Sequence, residues 1–189
     1  MKIDILFLDN DLSDHEEYFD NQTIKEYCET HSFEGEKNQI LSVPPSYSKS
    51  QKLTFLVGLG ENKVDNNIYD IGTLIGSKIK SDAEIKFLNF EDEKSLIIDG
   101  ILYAQYKFNS YKSEDDSSIN NITFKDIDSS VNEIKKDSVF WVRDLINTPA
   151  LDKSPEEFID KVKELVDSSD IDVEAVSYTH LTLPTSCCV

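Results

Sequence analysis

The amino-acid sequence predicts an α/β fold in which helices flank both faces of a largely parallel sheet. Short apolar runs with the length of buried strands alternate along the chain with segments whose apolar residues recur every three or four positions. In addition, 39% of the 189 residues are hydrophobic, which is enough to fill the core of an ordinary domain. Successive strand and helix units of this kind are joined by right-handed crossovers.

Five segments have the composition of strands. Ile3 to Leu8 is a short apolar run, and Leu53 to Val57 is a continuous one. Further strands are predicted over Glu84 to Phe90 and Ile122 to Ile127, and the residues from Asp172 to Val176 alternate like the start of another. Runs without a polar face are typical of strands that helices cover on both sides.

Two amphipathic helices are predicted between these strands. The first spans Asn66 to Lys80, and isoleucines at spacings of three and four give it one apolar face: Ile68, Ile71, Ile75 and Ile79. The second runs from about Leu96 to Phe108. It has small residues at Gly100 and Ala104, where a close approach to the sheet would require them.

Two more helices follow a polar segment, Ser110 to Asn121, which predicts an exposed loop. A helix from about Ser129 to Ile146 stops at Asn147-Thr148-Pro149, because the residue before a proline is pushed out of the α region. The next helix begins at Ser154, since its hydroxyl, the following proline and a glutamate satisfy the first N–H groups. We expect its apolar face to be exposed: Phe158, Val162 and Leu165.

The charge and the cysteine usage of the chain exclude some partners. With 37 acidic against 19 basic residues the formal charge is −18, so phosphate backbones and anionic lipids are repelled, and neither nucleic acid nor membrane is an expected partner. The N-terminus, MKIDILFLDND, has acids and only a short apolar run, unlike a signal peptide. Outside the last residues the sequence has one cysteine, Cys28, which fits a reducing cytoplasm.

Three patterns resemble ligand sites, and each has a plainer interpretation. Gly58-Leu59-Gly60 follows a strand as a dinucleotide loop does, but the third glycine is missing and Glu61 follows, so a tight turn is favoured. His15 and His31 have no partner at ligand spacing and are interpreted as surface histidines. An acidic cluster lacks the spacing of a calcium loop and is interpreted as solvated: Asp9, Asp11, Asp14, Glu16 and Glu17. Spacing alone therefore identifies no active site.

A family resemblance adds what spacing does not. The segment IDGILYAQYKFNSYKS, from Ile98 to Ser113, resembles a helix of the leucyl aminopeptidases, the cytosol aminopeptidase family, that carries Glu-Gly, then Tyr-Arg-Phe-Asp and then Tyr-Lys-Ser. The matching residues are Gly100, Tyr106, Phe108, Tyr111 and Lys112. Asp99 stands where Glu is usual, Lys107 replaces Arg, and Asn109 replaces Asp.

Two further segments resemble the same family. LVGLG is similar to the Val-Gly-Leu-Gly end of a family strand and matches it at Gly58 and Gly60. WVRDLINTPA, followed by SPEEF, resembles the family's Ala-Arg-Asp-Leu-Val-Asn-Thr-Pro and Thr-Pro-Glu elements. The matching residues of the longer element are Arg143, Asp144, Asn147 and Pro149. The resemblance covers about Leu53 to Val176.

The resemblance implies a two-domain metallopeptidase that releases N-terminal amino acids from peptides. Its N-terminal domain is expected to be macro-domain-like and to serve assembly, commonly into hexamers, and access to the active sites. Its C-terminal domain is expected to hold two divalent cations, zinc or manganese, that activate a water. The metal-ligand stretches of the family, Gly-Lys-Gly-x-x-Phe-Asp-Ser-Gly-Gly and Asn-Thr-Asp-Ala-Glu-Gly-Arg, do not occur in this sequence. No catalytic or metal residue is therefore carried over, and the polypeptide is expected to be inactive.

The expected organisation has three parts. Residues 1–127 form the macro-like domain, 128–176 form a connecting helix and the truncated start of a second α/β domain, and 177–189 form a tail. The alternative is a free-standing macro-like module for a nucleotide-derived ligand such as ADP-ribose. Against it are the 6 glycines of the chain and the acid beside Gly60, because phosphate loops need exposed N–H groups and little negative charge.

The tail, VSYTHLTLPTSCCV from Val176 to Val189, has a different composition from the rest of the chain. It has no acid, Lys or Arg, and it holds Cys187 and Cys188. Its first ten residues resemble a translation of the transposase end sequence and primer site of sequencing libraries. We therefore interpret the tail, with His180, as non-native. The alternative, a lipidation or metal-binding tail, is not specified by paired cysteines alone.

Overall fold

A computed structural model describes residues 1–8, 17–60, 68–90, 93–111, 119–167 and 169–176. The chain forms two compact units, Met1–Arg143 and Asp144–Val189. None of the helices in these described ranges is both long enough and apolar enough to cross a bilayer.

The first unit contains a five-stranded mixed sheet. Its strands in chain order are β1 (Lys2–Leu8), β2 (Ile40–Val43), β3 (Leu53–Gly58), β4 (Ala83–Phe87) and β5 (Ile122–Phe124). Across the sheet the order is β2-β3-β1-β4-β5, in which β2 is antiparallel to β3 and the other neighbours are parallel. In the centre, Ile3 lies opposite Leu53 on one side and Ile85 on the other. The predicted α/β fold is confirmed.

Five helices accompany the strands in the described ranges. They are α1 (Asn21–Thr30), α2 (Ile68–Lys78), α3 (Lys94–Tyr103), α4 (Ser130–Asn147) and α5 (Pro155–Val166). Single 3₁₀ turns occur at Pro45–Tyr47 and Ala150–Asp152. The division between the two units falls inside α4.

Alternate residues of β1 supply two hydrophobic cores on opposite faces of the sheet. Ile3, Ile5 and Phe7 pack with the buried faces of α2 and α3. Leu6 and Leu8 point the other way and pack with the buried residues of α1. Helices therefore cover both faces, as the continuous apolar runs of the strands indicate.

Two elements in the first fifty residues carry a weak sequence signal. Among the residues of α1 whose burial is described, two lie in the core, Ile24 and Cys28, so its helical periodicity is short. Asp20 caps it by accepting a hydrogen bond from the N–H of Gln22 at 3.1 Å. β2 has only four residues, and the last of them, Val43, is the buried one.

Some predicted boundaries are wrong. The strand predicted to reach Ile127 ends at Phe124, because Asp126 has a φ of 62° that no extended strand accommodates. The helix predicted to reach Phe108 ends at Tyr103, and the strand predicted to reach Phe90 ends at Phe87. Asp172 to Val176 form no strand, since these residues have no strand neighbour in the described part of the chain. Residues 61–67 and 112–118 lie outside the described ranges.

The predicted start of α5 is confirmed in detail. The Ser154 hydroxyl accepts from the N–H of Glu157 at 3.2 Å, and the Glu157 carboxylate accepts from the N–H of Ser154 at 2.7 Å. Pro155 occupies the first helical turn, where its missing N–H is harmless. On the predicted apolar face, Phe158 and Leu165 are exposed, as expected, while Val162 is half-buried.

Candidate functional site

The carboxyl end of β1 is the position at which open α/β sheets commonly bind a ligand. The neighbouring helices lie on opposite faces of the sheet, with α1 on one face and α2 and α3 on the other. Ligands of open α/β sheets bind in the crevice outside the strand ends at such a point. The residues that directly follow β1, 9–16, lie outside the described part of the chain.

The glycine turn after β3 uses its backbone N–H groups within the protein. The N–H of Gly58 donates to the carbonyl of Gln39 at 2.9 Å, and that of Leu59 donates to the carbonyl of Leu8 at 2.8 Å. The N–H of Gly60 donates to the carbonyl of Gly35 at 3.0 Å. A phosphate-binding loop needs such groups exposed. These three are occupied, so the tight-turn interpretation is favoured over a dinucleotide loop.

Backbone geometry requires glycine at both positions of this turn, Gly58 and Gly60. A Cβ on Gly58 would collide with the carbonyl oxygen of Glu36 and lie 2.7 Å from that of Gly35. Gly60 has a φ of 72°, in the left-handed region that favours glycine. Gly58 and Gly60 therefore let the segment before β2 cross the end of β3.

Asn89, which no sequence pattern indicated, pairs with the backbone of β1 on the side of that strand that faces β4. The Asn89 amide oxygen accepts from the N–H of Phe7 at 2.9 Å, and its nitrogen donates to the carbonyl of Phe7 at 2.6 Å. This paired contact continues the β1–β4 ladder beyond Phe87, the last residue of β4. The two residues are 82 positions apart, and no local pattern in the sequence indicates their pairing.

The described histidines and acids do not form a metal centre. His31 is exposed at the end of α1, where its ring stacks on Tyr27 with centroids 4.1 Å apart, as the surface interpretation predicts. No group of three or more His, Cys, Asp or Glu side chains able to hold a cation occurs among the described residues. His15 and the acids Asp9, Asp11, Asp14 and Glu16 lie outside those residues. The described part thus does not fit the two cations that the resemblance implies.

The buried thiol of Cys28 is not set up as a nucleophile. Burial, with a smaller contribution from Glu29, raises its pKa from 9.0 to about 11. The thiol therefore keeps its proton between pH 9 and about 11, where an unfolded chain loses it, so stability from this group falls as the pH rises through that window. A protonated thiol is a poor nucleophile.

Gly100, the first residue of the α3 motif, permits backbone contact between two helices. A Cβ there would collide with the carbonyl oxygen of Tyr69 and lie 2.9 Å from the Cα of Gly72. One turn further on, the buried Gln105 amide donates to the carbonyl of Gly76 at 2.8 Å. The close approach at Gly100 and Ala104 is therefore to α2, whereas the sequence predicted an approach to the sheet.

Asp99 holds α4 against α3. Its carboxylate is buried and accepts from the Asn132 amide at 2.6 Å and from the Lys135 ammonium at 3.3 Å. The same Asn132 nitrogen also donates to the backbone carbonyl of Ser95 at 2.9 Å. The acidic residue that precedes Gly100 therefore has a structural partner on the next helix.

Arg143 caps the end of α3. Its guanidinium donates to the carbonyl of Tyr103, the last residue of that helix, at 3.1 Å and lies 5.3 Å from the centre of the Tyr106 ring. Phe140 meets the same ring edge-on at 5.2 Å. Phe108 and Tyr111 pack together with ring centres 5.8 Å apart, whereas Lys112 lies outside the described residues.

In the second unit, the motif residues end α4. The N–H and the hydroxyl of Thr148 both donate to the carbonyl of Asp144, at 2.9 and 2.7 Å. Asn147 is the last helical residue, and Pro149 directly precedes the 3₁₀ turn Ala150–Asp152 as its N-terminal cap. The Lys153 ammonium donates to the carbonyl of Leu145 at 2.6 Å, which caps the helix end.

Known proteins align with most of this chain, including the segments that carry these motifs. No protein-family model matches the chain. A probable cytosol aminopeptidase of Rickettsia bellii is 27% identical over 199 aligned positions, which cover 90% of this chain and 39% of the relative. The relative of the same name in a second strain gives the same figures. The predicted resemblance to the leucyl aminopeptidases is confirmed.

Solved structures agree on the fold of this leucyl-aminopeptidase-like chain. The cytosol aminopeptidase of Coxiella burnetii is 23% identical with a TM-score of 0.66, covering 89% of this chain and 36% of that protein. A tomato leucine aminopeptidase mutant is 15% identical with a TM-score of 0.65, covering 88% and 39%. The bottromycin maturation enzyme BotP is 14% identical with a TM-score of 0.69, covering 90% and 38%. The chain spans about two fifths of the length of these relatives.

Proposed function

We propose that this chain is the amino-terminal part of a leucyl-aminopeptidase-type enzyme, which releases N-terminal amino acids from peptides, and that this part is inactive by itself. The observation that carries the proposal is the match of 90% of the chain to 39% of a cytosol aminopeptidase, with the same fold in solved relatives. The low identity to those solved structures supports the fold alone, so the activity rests on the sequence relative and the three motifs.

The motif residues support a structural role within this part. Gly58, Gly60 and Gly100 allow close backbone contacts, and Arg143 caps a helix. The same role is proposed for the other residues of the motifs, which are Tyr106, Phe108, Tyr111, Lys112, Asp144, Asn147 and Pro149. None of them is proposed as catalytic or as a metal ligand.

The proposed organisation keeps the expected three parts. Residues 1–127 form the macro-like domain, 128–176 the connecting helix and the start of the catalytic domain, and 177–189 a non-native tail. We propose that the first part serves assembly, in a hexamer, and access to the active sites of a cytoplasmic enzyme. The names of the matched relatives, cytosol and leucine aminopeptidase, support peptides as substrates.

The two divalent cations of the proposed enzyme belong to residues beyond this part. One solved relative, BotP, is described in complex with Mn. A pair of zinc or manganese ions would supply a metal-activated water for peptide cleavage. The described residues contain no matching ligand set. We propose that this part of the chain takes no step in that chemistry.

The test compares this chain with the frame read from its source. The DNA downstream of the Ala175 codon is amplified and sequenced, and both proteins are assayed on leucine p-nitroanilide with added Mn²⁺ or Zn²⁺. We expect no hydrolysis by the 189-residue chain and activity from the longer one that EDTA removes and the metal restores. Hydrolysis by the short chain would contradict its inactivity. A source frame that encodes the tail and a stop would overturn the peptidase proposal.

The macro-like binding module is not favoured, because the N–H groups of the glycine turn are already hydrogen-bonded. Calorimetric titration of the chain with ADP-ribose discriminates the two functions. Micromolar binding of ADP-ribose would support the macro-like module. An absence of binding heat would favour the amino-terminal part of a peptidase.

A further inference from the structure

Helix α5 is well capped but buries none of its side chains. The paired hydrogen bonds between Ser154 and Glu157 define its first turn. No residue from Pro155 to Val166 is buried, and Phe158 and Leu165 are 44% and 57% exposed. A helix of this length gains most of its stability by packing an apolar face, not from its own hydrogen bonds. That packing does not occur among the described residues.

The apolar side chains of α5 form one continuous arc. At about 100° per residue, five of them fall within about 120° of the helix circumference: Phe158, Ile159, Val162, Leu165 and Val166. The charged side chains lie on the rest of the circumference: Glu156, Glu157, Asp160, Lys161, Lys163 and Glu164. We call the five apolar residues the apolar arc of α5. Such a separation of apolar from charged residues is typical of a helix that packs one side into a protein interior.

The width of the apolar arc indicates what kind of surface covers it. A helix that packs against one other helix in a coiled coil needs only a narrow apolar seam. A helix that lies on the core of a domain has an apolar stripe of about 100° or more, and the arc of α5 is of this wider kind. The surface that fits it is therefore a broad apolar face, as a sheet presents to a covering helix.

The described residues of the second unit do not supply such a surface. Of residues 144–167 and 169–176, only Leu145 is buried. Large apolar side chains outside α5 are exposed as well: Ile146, Leu151, Ile171 and Val176. The chain spans only about two fifths of the length of the relatives that it matches. A small unit without a core of its own needs further residues to bury its apolar side chains.

We propose that the apolar arc of α5 is the docking surface for the part of the enzyme that follows Ala175 in the source frame. α5 then covers the core of that part as a helical layer. The inference rests on the proposed function, because it names the continuation of the same chain as the partner of α5. In the 189-residue chain the arc faces solvent, where an apolar patch promotes non-specific association.

The test compares one substitution in two proteins, the 189-residue chain and the longer chain read from the source DNA. Leu165→Asp puts a charge inside the apolar arc. In the longer chain it should lower the melting temperature by about 5 °C or more, because the charge is buried without a partner. In the shorter chain, where Leu165 is exposed, the melting temperature should change by less than about 2 °C.

Two further variants complete the experiment. The matched control is Lys163→Asp, which introduces the same residue, with a larger change of charge, on the charged side of α5. It should change the melting temperature of either chain by less than about 2 °C. If the longer chain with Leu165→Asp does not fold, Leu165→Ala gives the measured value, and about half of the aspartate effect is expected.

Two outcomes would overturn the docking proposal alone. A small effect of Leu165→Asp in both chains would mean that the continuation does not cover the arc. A large effect in both would mean that the 189-residue chain already covers it.

Stability is measured without peptide hydrolysis, so the two proposals can fail separately. A longer chain that loses stability through Leu165→Asp but releases no amino acid would overturn the proposed function alone. A source frame that encodes the tail and a stop removes the partner of α5 and would overturn both.

Discussion

Replacing Gly100 with alanine is expected to lower the free energy of unfolding by about 2 kcal/mol, and Gly100→Val by about 3 kcal/mol or more. The added Cβ would collide with the Tyr69 carbonyl oxygen and lie 2.9 Å from the backbone nitrogen of Thr73. Both obstacles belong to the backbone of α2, so no rotamer change relieves them, and the two helices must move apart.

The sign of the change in unfolding free energy for Gly100→Ala distinguishes this prediction from one based on helix propensity. In an unconstrained helix interior, glycine to alanine stabilises by about 1 kcal/mol, because alanine loses less backbone entropy. The collision with α2 therefore predicts a loss of stability, whereas helix propensity alone predicts a gain. Urea unfolding followed by circular dichroism measures it.

Two variants control this experiment. Leu96→Val puts a β-branched residue on an exposed position of the same helix and should change stability by less than about 1 kcal/mol. Gly72→Ala meets α3 from the other side, so its effect should be less than additive with Gly100→Ala. If Gly100→Ala stabilises the chain, α2 and α3 are not in backbone contact at this point.

The parts of this fold that could be predicted from sequence are those with local signals. The isoleucine stripe identified α2, and the sequence from Ser154 to Glu157 located the start of α5, because both depend on residues within one or two helical turns. α1 and β2 lacked such a signal, since few of their residues are buried. Their place in the fold comes from tertiary packing.

The contacts of the candidate site also join residues that are distant in the sequence, so local patterns could not predict them. The glycines of the turn after β3 were recognisable, but their role depends on the segment at Gly35 and Glu36, which crosses them. Asn89 carried no signal, because an amide that pairs with a backbone 82 residues away has no sequence pattern. The family resemblance indicated Gly100 and Arg143 without saying what they contact. Their contacts follow only from the packing of α2, α3 and α4.

The attachment of α4 is the second point at which one substitution should have a large effect. Asp99→Ala is expected to lower the free energy of unfolding by about 2 kcal/mol. The substitution removes a buried carboxylate that accepts from the Asn132 amide and the Lys135 ammonium. Asn132 is buried and keeps the Ser95 carbonyl as a partner, which limits the loss.

Two variants separate the hydrogen bond from the ion pair. Asp99→Asn keeps an oxygen that accepts from Asn132 but carries no charge, so about half of the alanine effect should remain. Lys135→Met removes an ammonium whose side chain is 47% exposed, and such a pair contributes less than about 1 kcal/mol because water screens it. The expected order of destabilisation is therefore alanine, then asparagine, then the lysine variant.

Amide hydrogen exchange shows where the stability is lost. If Asp99 fixes α4 to α3, protection in Asp99→Ala falls first over residues 130–143, while the strands of the sheet stay protected until global unfolding. Loss of protection over the whole first unit at once would mean that α4 is an integral part of the core. In that case its few buried side chains, Asn132 and Phe140, contribute more to stability than their number indicates.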